Sequence, residues 1–158
     1  MPVTTIRIER RAASAKGFTL IELLIVVAII GIIAAIAIPN LLNAIDRGKQ
    51  KRTMADERSI GTAVESYAVD NNFYPKNQSA MPSTLISPIY IKTVPATDGW
   101  NNTWVFASDT NGTKYTITSY TKDGIVDGTS TGGMTSDFNC DIVFASGQFY
   151  KWPQGTQT

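Results

Sequence analysis

An apolar run from Phe18 to Ile38 limits what this chain can become. Its 21 residues are interrupted only by Thr19, Glu22 and Gly31. At about 1.5 Å of rise per residue, a helix of this length is roughly 30 Å long, the thickness of a bilayer core. The preceding stretch, MPVTTIRIERRAASAKG, is polar and carries Arg7, Arg10, Arg11 and Lys16 against Glu9 alone. Pro39 follows the run at once. Within a long helix, proline removes one backbone hydrogen bond and commonly kinks the helix rather than ending it.

Helical spacing resumes beyond Pro39. Leu41, Leu42 and Ile45 share one face, and Ile60, Ala63, Val64 and Tyr67 share a face further on, at steps of three and four. The intervening DRGKQKRTMADERS is polar on most sides. These segments read as one helix from Phe18 to about residue 70, stopped by Asn71-Asn72 and Tyr74-Pro75. Residues 76–103 hold Pro82, Pro88, Pro95 and Gly99 and read as irregular. Strand character begins at Trp104-Val105-Phe106. It continues after the turn signal Asn111-Gly112 with Tyr115 to Tyr120, and ends in a hairpin of Asp141–Ala145 and Gln148–Trp152 about Ser146-Gly147. The expected fold class is α+β, with three or four antiparallel strands laid on the C-terminal half of the helix and burying Ile60, Val64 and Tyr67.

Composition removes several functions. After residue 17 there are ten basic and twelve acidic side chains, so no concentrated basic face is available for nucleic acid. There is no histidine and Cys140 is the single cysteine. Cys/His nucleophile pairs, zinc sites and an intrachain disulfide are therefore excluded. No nucleophile–base pair supports an enzyme. Cys140 reads as a small core residue. The basic cluster Arg47, Lys49, Lys51 and Arg52 reads as a solvated helix face.

Glu22 separates three readings of the N-terminus: a secretory signal peptide cut near Ala35-Ile36-Ala37, a plain single-pass anchor, and the precursor of a filament subunit. A carboxylate in an apolar run costs on the order of 2.5–3.5 kcal/mol near a bilayer centre and less near its edge. Neither a signal peptide nor an anchor gains by keeping it. A filament subunit does gain, because cutting before Phe18 creates an ammonium group. Glu22 of one subunit can pair with the Phe18 amine of a neighbour, and mispaired registers leave the charge uncompensated.

Lys16-Gly-Phe-Thr-Leu-Ile-Glu22, the apolar run and Ile38-Pro39-Asn40 resemble the type III signal of type IV pilins and type II secretion pseudopilins. The resemblance implies cleavage between Gly17 and Phe18 by an inner-membrane prepilin peptidase, N-methylation of Phe18, and polymerisation through the N-terminal helices. It implies a leader at 1–17, a transmembrane and filament-core helix at 18–40, and a periplasmic pilin domain at 41–158. That domain holds the helix end, an irregular segment at 71–103, and the sheet and C-terminal loop at 104–158.

Tyr67-x-x-Asp70-Asn-x-Phe73-Tyr74-Pro75, Asp98-Gly-Trp100-Asn-Asn102, Tyr115–Ser119 and Lys122-Asp-Gly124 are similar, in order, to the major pseudopilin of type II secretion systems. A single cysteine rules out the C-terminal disulfide usual in type IVa pilins. The implied function is a structural subunit of a periplasmic pseudopilus, working with minor pseudopilins, an assembly platform, an ATPase and an outer-membrane pore. The alternative is a major or minor type IV pilin for adhesion, motility or DNA uptake. The family commonly has Trp-Gly-Asn where this chain has Trp100-Asn101-Asn102, a turn that asparagine can also make. It also tends to place acidic residues directly before the Asp141-Ile142 pair, where this chain has Asn139-Cys140.

The resemblance further implies calcium in the loop from Thr121 to Cys140. Asp123 and Asp141 match the ligand positions best, with Asp127, Asp137 and carbonyls near Ser119 and Tyr120 as further candidates. The loop is long, poor in apolar residues and rich in glycine, and calcium takes about six to eight hard oxygens. Without the resemblance, the same residues read as a solvated acidic loop.

Overall fold

The computed structural model describes residues 17–127 and 131–155. The leader before Gly17, and Gly128, lie outside the described residues. The chain divides into two compact units, Met1–Pro39 and Asn40–Thr158. Helix α1 runs Leu20–Asn71 and includes Pro39. In the first unit its large apolar side chains are all exposed, from Phe18 through Ile38. By length and composition, α1 can cross a membrane.

In the second unit α1 buries Asp46, Gln50, Thr53, Glu57, Ile60 and Val64, which recur at steps of four and three. One stripe is therefore covered throughout, polar in its first half and apolar in its second. The polar half is covered by the segment around Asp98. Gly99 donates its amide to Thr53 Oγ1 at 2.9 Å, and the Trp100 indole donates to Asp46 Oδ1 at 3.3 Å. Lys122 pairs with the other Asp46 oxygen at 3.0 Å. A Cβ on Gly99 would stand 2.4 Å from the Lys49 carbonyl oxygen, so only glycine lets this segment lie so close to the helix. α1 ends where Asn72 turns left-handed at φ 63° and donates to the Ala68 carbonyl at 2.8 Å, a cap that asparagine adopts readily.

Helix α2 is a single turn, Ser83–Ile86, whose Ile86 enters the core. Five strands follow: β1 Val105–Ser108, β2 Tyr115–Ser119, β3 Gly133–Thr135, β4 Ile142–Ala145 and β5 Gln148–Pro153. Their order in the sheet is β1-β2-β4-β5-β3. β2 alternates buried and half-buried residues, turning Tyr115, Ile117 and Ser119 inward. The β4–β5 turn places Ser146 and Gly147 at φ 44° and 92°, as a two-residue hairpin with right-handed twist requires. Ile60, Ala63 and Val64 of α1 pack with Phe106, Tyr115, Ile117 and Phe144 of the sheet. Gly61 sits at the closest approach, where an added Cβ would lie 2.3 Å from the Phe144 ring.

Three sequence expectations are corrected. The sheet has five strands, and its edge strand β3 runs parallel to β5. The strand expected from Trp104 begins at Val105. Cys140 is half-buried two residues before β4 and does not join the apolar core.

Glu57 is 0 % exposed, and neither carboxyl oxygen has a hydrogen-bond partner. Burial drives its pKa well above the ordinary carboxylate range; the Phe144 backbone opposes this and Asp98 adds to it. A carboxyl raised in the fold contributes stability that is complete below its unfolded value, near 4.3, and declines as pH rises towards the folded value. Glu57→Leu should therefore raise stability at neutral pH by about 1–3 kcal/mol, the cost of an unsatisfied buried group. It should also flatten the decline between acid and neutral pH, as read from thermal melts of the full chain in detergent.

Candidate functional site

Two places carry the residues singled out by the sequence. At the first, Gly17, Phe18 and Thr19 precede α1 without regular structure, and Phe18 is 83 % exposed. Nothing lies within 4 Å of a Cβ built on Gly17. Glu22 occupies the first turn of α1, with its carboxylate turned back on the helix start. Its Oε2 accepts from the Thr19 amide at 3.3 Å and from the Thr19 hydroxyl at 3.1 Å, while Thr19 Oγ1 accepts from the Glu22 amide at 3.3 Å. This is a reciprocal capping box, and its Thr-x-x-Glu spacing stands in the sequence, where attention to the charge alone passes over it. In the single chain, Glu22 is thus held by its own helix end.

The second place is the C-terminal loop. Asp127 and Asp141 are latched reciprocally: the Asp127 amide donates to Asp141 Oδ2 at 2.9 Å, and the Asp141 amide donates to Asp127 Oδ2 at 3.0 Å. Lys151 of β5 donates to the same Asp127 oxygen. Burial pushes the Asp127 carboxyl up, but Lys151 and the Asp141 amide outweigh it and leave it lowered. Asp141 is raised, chiefly by burial. Its Oδ1 is buried and has no partner.

The other expected ligands are turned elsewhere. Asp123 Oδ1 accepts from the Ile125 amide at 3.0 Å, and Asp137 Oδ1 accepts from the Asn139 amide at 3.0 Å. The Tyr120 carbonyl accepts the Gly124 amide at 3.2 Å. Among the described residues of this loop, the orphaned Asp141 Oδ1 is a buried oxygen that a cation would satisfy. Among the described residues, no three acidic, histidine or cysteine side chains come together to hold a metal. With an ammonium already on Asp127, this donor set fits calcium poorly.

The turn expected at Trp100-Asn101-Asn102 is present. Asn101 takes φ 73°, and Asp98 Oδ1 accepts the amides of Trp100 and Asn102 at 2.9 and 2.8 Å. The Asn102 side chain donates to the Thr121 carbonyl and so ties this turn to the loop. Lys151 was not singled out by sequence. Its signal was a lone basic residue in an alternating strand, and its partner stands 24 residues earlier.

An exposed apolar helix start and a helix end laid on a small sheet define a pilin-like α+β subunit. The comparisons narrow this class. The chain belongs to the type II secretion system protein G family, whose model matches residues 40–137. The prokaryotic N-terminal methylation motif matches residues 13–38. The type II secretion system core protein G of Vibrio cholerae is 32% identical over 136 residues, covering 78% of this chain and 91% of the relative. That of Escherichia coli is 29% identical over 121 residues, 69% of this chain and 83% of the relative. The type IV wide pilus major component PilA4 of Thermus thermophilus is 47% identical over 83 residues, 52% of this chain and 60% of the relative.

Thr19→Ala removes one arm of the capping box, worth about 1 kcal/mol. Amide exchange at Ile21 and Glu22 of the micelle-bound chain should accelerate roughly 5-fold, with exchange near Ile60 unchanged.

Proposed function

We propose that this chain is the major structural subunit of a type II secretion pseudopilus, made as a membrane-anchored precursor. The match of residues 40–137 to the protein G family, joined to an apolar run that carries Glu22, supports this most directly. After cleavage at Gly17–Phe18, Phe18 is N-methylated and the apolar helices leave the bilayer to pack against one another. Each exposed side chain between Phe18 and Ile38 then exchanges lipid for protein. Glu22 trades Thr19 for the Phe18 amine of a neighbouring subunit, which sets the register of the filament. The globular domain stands in the periplasm. Prepilin peptidase, minor pseudopilins and the assembly platform are the partners this reading requires. The PilA4 likeness supports the second reading, a type IV pilin, over about half of the chain.

Intact mass of purified filaments should give a chain that starts at Phe18 and carries one added methyl group. Glu22→Val should insert into membranes as well as the parent chain, yet lose filament yield roughly 10-fold or more, as the loss of a buried charge's partner implies. Normal filament yield from Glu22→Val sinks the register role. Deleting the gene distinguishes the two readings: lost enzyme secretion supports the pseudopilus, and lost twitching or DNA uptake supports the pilus.

A further inference from the structure

We propose that the C-terminal loop is closed by an internal cation, the Lys151 ammonium, which takes the part that calcium plays in the implied family site. Lys151 lies between two strands, paired with Val143 of β4 on one side and Gly133 of β3 on the other. Its side chain is only 10% exposed, and the ammonium meets Asp127 Oδ2. Asp127 in turn receives the amide of Asp141, and Asp141 receives that of Asp127. Through Asp127, one ammonium thereby fastens the loop, the residue before β4 and the middle of β5.

The loop's remaining ties are also made by protein. Thr121 donates its hydroxyl to the Cys140 carbonyl at 3.2 Å, and the Lys122 amide donates to the Phe138 carbonyl at 3.4 Å. Charge points the same way. The Lys151 ammonium already sets one positive charge against Asp127 within this cluster. A divalent ion would have to bind beside a fixed ammonium with Asp123 turned to its own loop, and the two cations would repel each other at short range. The unpartnered Asp141 Oδ1 is the atom through which calcium would enter if this reading fails.

The test uses the full-length chain in detergent, melted in calcium and in chelator. The wild type should melt at the same temperature in both, and terbium added as a calcium probe should give no tryptophan-sensitised luminescence. Lys151→Met keeps the apolar stem and removes the charge. It should lower the midpoint in chelator by roughly 3–5 °C, since the half-buried Asp127 carboxylate loses its counter-charge. Lys151→Arg should recover part of that loss. Lys151→Met should also acquire a calcium-dependent midpoint, because Asp127 and Asp141 then share an uncompensated negative charge. If Lys151→Met does not fold, the terbium and chelator measurements on the wild type still decide. A wild-type midpoint that rises with calcium, saturable terbium luminescence, or a Lys151→Met midpoint equal to wild type overturns the proposal.

Discussion

The sheet is placed by one contact, the Phe144 ring lying against Gly61, where any side chain would hold it away. Two elements can share a core this thin only if one of them gives up its Cβ at the crossing. Around that point Ile60, Val64, Phe106, Tyr115 and Ile117 close without exposure. Glu65 fixes the rim by accepting the hydroxyls of Tyr115 at 2.9 Å and Tyr74 at 3.0 Å. Substituting Gly61 would therefore shift the sheet bodily, and with it the strand that carries Lys151.

The helix was legible wherever its residues alternated in polarity at helical spacing. Its end was legible because two asparagines precede Tyr74-Pro75. The polar stretch between Ile45 and Ile60 hides a buried stripe. Hydrophobic periodicity registers burial only through apolar side chains, whereas Asp46, Gln50, Thr53 and Glu57 are buried by a covering segment held by hydrogen bonds. Strand β3 escaped notice because three residues are too few to show alternation. Its parallel partner also lies some twenty residues on, beyond any local turn signal.

The candidate sites divide in the same way. Gly17, Phe18 and Glu22 stand in a contiguous motif, so the sequence displays them together. Of the four aspartates expected around a cation, only Asp127 and Asp141 meet, and they meet over Lys151. Spacing along a glycine-rich loop says little about which carboxylates turn inward, because short side chains readily cap neighbouring amides, as Asp123 and Asp137 do. The two charged clusters also differ in kind. Lys151 is satisfied within the fold, whereas the partner of Glu22 is one that a second subunit can replace.

Pro39 lies inside α1 and carries no amide hydrogen, so the Ala35 carbonyl has no donor at its usual place four residues on. A bond that was never made costs nothing to break. Under an axial load on such a helix, the turn across this gap has one backbone hydrogen bond fewer to resist opening.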